Sequence, residues 1–268
     1  MIIYIDKNLN SAECLFSTSK LSPFVAISVG SKPPCLEKAI DILRWLLLSN
    51  SESIPILIAD EIAHINYRGF GYSTGKVLNQ VAAAMEKQLS VWGNALNHLT
   101  DQDKLRFKMV YWSEIVNPKF IEQQNIIRSA FAEQAELYEE ILFLVEVFIK
   151  STGKTVNSKR KTIMAEYVIQ ELPLLLFGIQ LDDVNYRMML YPTYYSSEMV
   201  SMISAIRRKP CYSKLLISLR GDKLEHNKII QMIVQENDGV ESQIATKKSY
   251  SKKEDCINFD ITQEYQNA

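Results

Sequence analysis

FVAISVG, residues 24–30, is a short apolar run that is rich in β-branched side chains and ends in glycine. Such a run is typical of a buried β-strand. Further strands are predicted from the runs IPILIAD at 54–60, RFKMVYW at 106–112, YRMMLY at 186–191 and KLLISL at 214–219. The chain therefore places several short apolar segments at wide intervals, which is the first indication of its fold class.

The segments between these strands mostly have the apolar spacing of helices. Helices are predicted at 35–48, 75–99, 119–150 (one or two helices), 159–176 and from Ser196 onward, whereas the polar, glycine-containing segment 61–75 is predicted to be a loop. Strands that alternate with such helices predict an α/β fold, with a mainly parallel sheet flanked by helices on both faces. Residues 1–235 are expected to form one domain, and the polar stretch 236–268 a flexible tail.

In a parallel sheet of this kind, ligands bind outside the carboxyl ends of the strands. Residues 28–31, Asp60 and Tyr191 each come at the end of a predicted strand. They are far apart in sequence, but we expect them to meet at one edge of the sheet. That edge is the predicted position of the functional site.

The overall composition excludes several classes of protein. The formal charge of −1 argues against a bulk electrostatic attraction to nucleic acid, although a local basic face remains compatible with it. The apolar runs are far shorter than the about 20 residues that a membrane-spanning helix needs, so no membrane contact is expected. The four cysteines are scattered without a C-x-x-C pair, which predicts reduced thiols, no metal site and a cytoplasmic location; they are Cys14, Cys35, Cys211 and Cys256.

Ser28 allows two interpretations when it is taken alone. It is either a small buried hydroxyl that bonds to the backbone or a nucleophile. The G-x-S-x-G elbow of hydrolases is absent because Ala26 occupies the first glycine position. A phosphate-binding loop at 69–76 is also excluded, since Phe70 replaces its first glycine and Val77 its final Ser or Thr. A nucleophilic Ser28 would therefore need a substrate that is already activated.

Tyr167 and Glu171 are four residues apart on a predicted helix and thus share one face. A carboxylate at the edge of an apolar stripe is a suitable anchor for an ammonium group, whereas the alternative is a solvated helix face. Basic residues precede this pair on the same helix. They are either solvated or in contact with a phosphate backbone, whose end would then lie near Tyr167.

Three motifs along the chain, at residues 25–31, 167–173 and 191–192, resemble the signatures of cyclodipeptide synthases and come in the same order as in that family. Residues 167–173, YVIQELP, match the pattern Y-x-x-x-E-x-P, and residues 25–31, VAISVGS, resemble the segment that carries the nucleophilic serine. Tyr191 followed by Pro192 resembles the third signature. Together with Ser31, these last two residues are similar to the subfamily that has a variable residue, Tyr and Pro at its signature positions.

The resemblance implies a Rossmann-like domain similar to the catalytic domain of class Ic aminoacyl-tRNA synthetases. It also implies an aminoacyltransferase that makes a diketopiperazine from two aminoacyl-tRNAs by ping-pong acyl transfer, without a cofactor and as a monomer. Ser28 would carry first an aminoacyl and then a dipeptidyl group. Tyr167 and Glu171 would hold the α-ammonium, Glu171 would accept a proton from the attacking amine, and Tyr191 would relay a proton during cyclisation.

Further site residues follow from aligning the sequence to the family. The candidates for substrate binding are Phe24, Ala26, Gly30, Ser31, Trp112, Leu174 and Pro192. The candidates for tRNA contact are Lys76, Lys87, Lys154, Lys159, Arg160 and Lys161. Ala26 stands where the family often has glycine, and with the bulky Trp112 it indicates a small pocket for the first side chain.

Two other functions are compatible with the same residues. A non-catalytic module that binds aminoacyl-tRNA would share the fold and the basic residues, and an α/β serine hydrolase would share Ser28. The first would not become acylated, and the second would cleave simple esters without tRNA.

Overall fold

The computed structural model describes residues 2–5, 22–133, 135–192 and 228–232 of the chain. Within them, one sheet contains the strands β1 (Ile2–Ile5), β2 (Ser22–Ser28), β3 (Ile54–Ala59), β4 (Phe107–Tyr111), β5 (Ile179–Leu181), β6 (Val184–Tyr191) and β7 (Lys228–Met232). The helices are α1 (Leu36–Leu47), α2 (Asp60–Gly69), α3 (Thr74–Leu96), α4 (Asp101–Lys104), α5 (Trp112–Ile115), α6 (Pro118–Glu133), α7 (Ala135–Ser151) and α8 (Ser158–Phe177).

The strand order is β1-β7-β6-β2-β3-β4, and all of these neighbours run parallel. The short β5 pairs antiparallel with β6, so the sheet is mixed but mainly parallel. In this register Ser28 lies beside Ala59 of β3, and Val25, three residues earlier in β2, lies beside Leu190 of β6. The prediction that the ends of β2, β3 and β6 meet at one edge is thereby confirmed.

Side chains of the central strands alternate between two buried clusters, as the pleat of a strand requires. Phe24, Ala26 and the equivalent positions of β3, β4 and β6 pack with the helices α5 to α8 on one face. Val25 and Ile27 pack with α1 and α3 on the other face. The sheet is therefore covered on both faces, which confirms the predicted α/β class.

Most of the predicted elements coincide with observed ones within a few residues. The segment 119–150 is two helices, α6 and α7. The prediction of a loop over 61–75 is wrong, because residues 60–69 form α2. Asp60 and Glu61 lie in its first turn and Arg68 in its last, where the helix dipole favours these charges. The apolar side chains of α2, such as Ile62 and Ile65, are buried and compensate for its polar composition.

The strands β1, β5 and β7 have no counterpart among the elements predicted from the sequence. The predicted strand at 214–219, the helix beginning at Ser196 and the tail at 236–268 lie outside the described residues.

A glycine fixes the connection between α8 and β5. Gly178 has φ of 77°, which is in the left-handed region that favours glycine. A Cβ atom at this position would lie 2.0 Å from the Tyr186 carbonyl oxygen. Gly178 therefore lets the chain turn directly from the end of α8 into β5, close against Tyr186 of β6.

Arg106 fastens the opposite edge of the sheet. Its guanidinium donates hydrogen bonds to the carbonyl oxygens of Leu47 at 3.1 Å, Ser49 at 2.7 Å and Ser51 at 2.8 Å. The Leu47 carbonyl is at the end of α1, where a helix leaves such groups without partners, and those of Ser49 and Ser51 belong to the loop that follows. Arg106 thus joins the loop after α1 to the start of β4.

Candidate active site

Ser28 is the last residue of β2 and belongs to the same alternation as Phe24 and Ala26. Its side chain therefore points to the face of the sheet that α8 covers. Ser28 itself is half-buried. The strand thus presents a hydroxyl at the sheet edge, above a fully apolar layer.

The helix α8 brings Tyr167 and Glu171 to this hydroxyl. The helix begins after Asn157, whose side-chain oxygen accepts from the Arg160 N–H at 2.9 Å. Tyr167 packs against the same buried cluster as Phe24, and its side chain is hydrogen-bonded to that of Ser28. The sequence-predicted residues of β2 and α8 therefore meet in the structure.

Glu171 is only 5% exposed, and burial raises its pKa from 4.5 to about 7. A carboxyl with such a pKa exchanges its proton near neutral pH, as a general base must. When it is ionised, its charge lies in an apolar environment and interacts strongly with a cation. Glu171 is therefore suited both to hold an ammonium group and to accept a proton from it.

The Tyr167 hydroxyl is affected by the same burial and by the charges of its neighbours. Burial raises the pKa of its hydroxyl well above 10, Glu171 and Tyr191 raise it further, and the hydrogen bond with Ser28 opposes the rise. Tyr167 is thus a neutral hydroxyl at physiological pH. The effect of Tyr191 places the end of β6 close to Tyr167, so all four predicted catalytic residues lie together.

The chain turns sharply after Ser28. The Ser28 carbonyl oxygen accepts hydrogen bonds from the Ser31 N–H at 3.1 Å and the Ser31 hydroxyl at 2.7 Å. The Ser31 side chain thus holds the turn. Among the described residues, a Cβ atom at Gly30 would meet nothing within 4 Å, so open space lies beside the backbone of this turn.

Gln88 was not singled out in the sequence, yet it contacts this turn from α3. Its side-chain amide donates to the carbonyl oxygens of Ser31 at 3.0 Å and Ser28 at 3.3 Å. The signal in the sequence was a polar residue on the apolar stripe of a helix, between Val81 and Trp92, which are both buried.

The residues predicted to line the first side-chain pocket share one cluster. Phe24, Ala26, Trp112 and Leu174 are all buried on the face of the sheet that carries Ser28. The backbone N–H of Trp112 donates to the carboxylate of Asp60 at 3.1 Å, which joins the ends of β3 and β4. Pro192 is also buried.

The predicted basic residues fall into two groups in the structure. Lys76, Lys87, Lys154 and Lys159 are exposed. In contrast, Arg160 donates to the carbonyl oxygens of Gly69, at 2.9 Å, and Thr155, and Lys161 pairs with Glu146 at 3.2 Å. The last two side chains therefore have structural contacts.

Among the described residues, no group of three or more His, Cys, Asp or Glu side chains is arranged to hold a metal ion. No described helix is both long enough and apolar enough to cross a membrane.

Comparison with known proteins identifies the family. The family model described as "Cyclodipeptide synthase" matches residues 23–219, a range that contains all four residues of the cluster around Ser28. No curated protein sequence matches the chain.

Solved structures share the fold at low sequence identity. AlbC, a cyclodipeptide synthase from Streptomyces noursei, superposes with a TM-score of 0.56 at 15% identity, covering 79% of this chain and 94% of that one. A cyclodipeptide synthase from Bacillus thermoamylovorans gives 0.57 at 16% identity, with 82% and 90% covered.

A third structure, from Mycobacterium tuberculosis, gives 0.55 at 16% identity, with 81% and 87% covered. It is described as relating cyclodipeptide synthetases to type I tRNA synthetases. The expected synthetase-like α/β fold is thus confirmed. With the match of the family model over residues 23–219, this chain belongs to the cyclodipeptide synthase family.

Proposed function

We propose that this chain joins the amino acids of two aminoacyl-tRNAs into a diketopiperazine, with Ser28 as the acyl carrier. The observation that supports this most directly is the hydrogen bond between Ser28 and Tyr167 beside the buried Glu171. An exposed carboxylate or a distant serine would not provide such a site. Membership of the family supports the same reaction class.

In the first step, the Ser28 oxygen attacks the ester carbonyl carbon of an aminoacyl-tRNA. The new bond is the serine ester, the bond to the ribose oxygen breaks, and the serine proton passes to that ribose oxygen. Ionised Glu171 and the Tyr167 hydroxyl hold the α-ammonium of the substrate, which orients the carbonyl toward Ser28. Backbone N–H groups near Gly30 stabilise the oxyanion.

In the second step, the amine of the Ser28-bound residue attacks the ester carbonyl carbon of a second aminoacyl-tRNA. An amide bond forms, the bond to the ribose oxygen of that tRNA breaks, and this oxygen takes up the second proton that the nitrogen loses. This direction is required for the dipeptide to remain on Ser28, because the reverse attack would leave it on the tRNA. The ammonium must first lose a proton, and Glu171, with a pKa of about 7, accepts it. The same carboxylate that anchors the ammonium thus converts it into the nucleophile.

In the third step, the free amine of the dipeptide attacks its own ester carbonyl. The amide that forms closes the ring, and the bond to the Ser28 oxygen breaks. Tyr191 relays the amine proton to the departing serine oxygen, which regenerates the enzyme. The position of Tyr191 at the end of β6, close enough to raise the pKa of Tyr167, supports this role.

The tRNA is proposed to contact the four exposed lysines, Lys76, Lys87, Lys154 and Lys159. The hydrogen bond from Arg160 to Gly69 brings the start of α8 next to the end of α2, from which the chain leads to Lys76. The lysine pairs at 76–87 and 154–159 therefore belong to neighbouring elements. In this proposal Arg160 holds the start of α8 against the end of α2, and Lys161 holds it against Glu146 of α7.

Intact-mass analysis after mixing with charged tRNAs tests the acyl carrier. We expect wild-type protein to gain the mass of one aminoacyl group and Ser28→Ala to gain none. A folded wild-type protein that gains no mass from a full set of charged tRNAs would contradict the proposal and favour a non-catalytic binding module. Turnover of simple esters without tRNA would favour a hydrolase.

Mass spectrometry of the medium from bacteria that express the protein tests the product. We expect cyclic dipeptides that are missing from cells expressing Ser28→Ala, with a small first residue because Ala26 and Trp112 narrow the proposed pocket. Acylation without a cyclic product would leave the carrier role intact and refute the proposed ring closure.

A further inference from the structure

Gln88 joins α3 to the turn that follows the nucleophilic strand. It is 1% exposed, and its amide nitrogen lies 3.0 Å from the Ser31 carbonyl oxygen and 3.3 Å from that of Ser28. Two carbonyl oxygens can only accept, so the group that faces them must be the amide nitrogen and not the amide oxygen. One side chain therefore fixes both ends of the turn from 60 residues away in sequence.

Stability does not explain a glutamine at this position. Its other polar atom, Oε1, is buried and has no hydrogen-bond partner within the described parts of the chain. An unpaired buried oxygen destabilises a fold, whereas an apolar side chain of similar size would fill the space without that penalty. The property that only glutamine provides here is the pair of N–H donors.

The donors determine how the turn is oriented. The Ser28 carbonyl oxygen accepts from Gln88, from the Ser31 N–H and from the Ser31 hydroxyl. Because a trans peptide is planar, the N–H of Val29 points away from this oxygen. Holding the carbonyl on the side of α3 thus directs the following N–H to the opposite side, and within the described part of the chain the neighbouring Gly30 has open space where a Cβ atom would lie.

We propose that Gln88 is a positioning residue for acyl transfer. It holds the turn at residues 28–31 so that the Ser28 hydroxyl and the N–H of Val29 face the ester carbonyl together. The inference rests on the proposed role of Ser28 as acyl carrier. It adds to that role a structural element from the opposite face of the sheet, on α3.

The first test compares Gln88→Met with wild type in single-turnover acylation by a charged tRNA mixture. Methionine fills the space but donates no hydrogen bond. We expect the acylation rate constant to fall about 10- to 100-fold, as for a misplaced reacting group. The final amplitude of acylation and the Kd for the aminoacyl-tRNAs should stay as in wild type.

Gln80→Met is the matched control, because Gln80 is exposed on the same helix. We expect it to acylate at the wild-type rate. A purely structural role of Gln88 would instead lower the amplitude at an unchanged rate constant, because part of the protein would be misfolded. That result, or a wild-type rate in folded Gln88→Met, would overturn the proposal.

The second test uses Gln88→Glu, which retains the shape and makes the donor depend on pH. A protonated glutamic acid donates one hydrogen bond to the turn, whereas a carboxylate repels both carbonyl oxygens. Burial raises the pKa of such a carboxyl. The ratio of the acylation rate of Gln88→Glu to that of wild type should rise about tenfold or more from pH 8 to pH 6.

Taking this ratio removes the titration of Glu171, which both proteins share. A ratio that does not change with pH, in protein whose circular dichroism shows it folded at both values, would refute the role of Gln88. Failure of wild type to acylate at all would refute Ser28 as acyl carrier instead. The two failures are therefore distinguishable.

Discussion

The pKa of Glu171 predicts that its replacement makes the protein more stable and less active. The carboxyl has a pKa of about 7 in the folded chain against 4.5 as its ordinary value. Between these two pH values the folded state keeps a proton that the unfolded state has released. The free energy of unfolding therefore falls as pH rises through this window and levels off above about 7.

The size of this fall follows from the same two values. At 1.36 kcal/mol per pKa unit, moving from 4.5 to about 7 corresponds to about 3 kcal/mol. Glu171→Gln keeps the shape of the side chain but has no proton to lose. We expect the free energy of unfolding of Glu171→Gln to equal that of wild type near pH 4.5 and to be about 3 kcal/mol higher at pH 8. Guanidinium unfolding followed by circular dichroism at both pH values measures the difference.

The activity of the same variant should change in the opposite direction. The kcat/KM of wild type for aminoacyl-enzyme formation reports groups of the free enzyme. It should rise with pH to a plateau above about 7, as Glu171 ionises. Glu171→Gln should be about 10- to 100-fold slower on this plateau, since a charged hydrogen bond to the ammonium is lost. The ratio of wild type to variant cancels the titration of the substrate amine.

Glu166→Gln provides the matched control on the same helix. Glu166 is held by Arg128, whose hydrogen bond lowers the pKa of its carboxyl, so the control should keep the wild-type inflection near pH 7. The reasoning would be refuted if the stability difference between wild type and Glu171→Gln were the same at pH 5 and pH 8. An unchanged activity profile in Glu171→Gln would remove it from the proposed mechanism.

Three further substitutions separate the site from its support. Gly30→Ala should fold with an unchanged Tm, because the added methyl meets no atom of the described residues within 4 Å. It should lower the kcat/KM of acylation about tenfold or more by occupying the open space. Tyr167→Phe removes the hydroxyl bonded to Ser28 and should slow single-turnover acylation about tenfold; a wild-type rate would dismiss the contact. Arg106→Ala should lower the free energy of unfolding by about 2–4 kcal/mol, since its hydrogen bonds to three carbonyls are lost. Acylation per folded molecule should stay unchanged. Denaturant titration measures the loss, and a stability equal to that of wild type would contradict this role of Arg106.

The residues of the candidate site were accessible from the sequence because each lies on an element with a strong local pattern. Ser28 and Tyr191 end apolar strands, and the spacing of Tyr167 and Glu171 places them on one helical face. The rule that strand ends converge in a parallel sheet then brings β2 and β6 together. This rule can be applied once the strands and helices are located in the sequence, without knowledge of which residues are in contact.

The features that the sequence did not predict depend on contacts between residues far apart in the chain. The strand β1 pairs with β7 through Ile2 and Ile229, which are separated by most of the chain. The helix α2 owes its stability to side chains that become buried only when it packs against α8. Gln88 is polar on an apolar stripe, and its purpose is visible only from the carbonyls it meets. Each of these residues is visible in the sequence, but its role can be assigned only when the residues it contacts in the fold are known.

The alternation of side chains in β2 also restricts how this enzyme can change over evolutionary time or be redesigned. Deleting one residue of β2 before Ser28 would move the side chains on one side of the deletion to the opposite face of the sheet. The hydroxyl of Ser28 would then point toward α1 and α3. Because side chains alternate between the faces, a serine on the same face as Ser28 could be placed only an even number of residues away. The nearest such position within β2, Ala26, lies about 7 Å deeper in the sheet. Insertions and deletions within β2 should therefore not be tolerated, because the register of this strand sets how deep in the sheet the Ser28 hydroxyl lies.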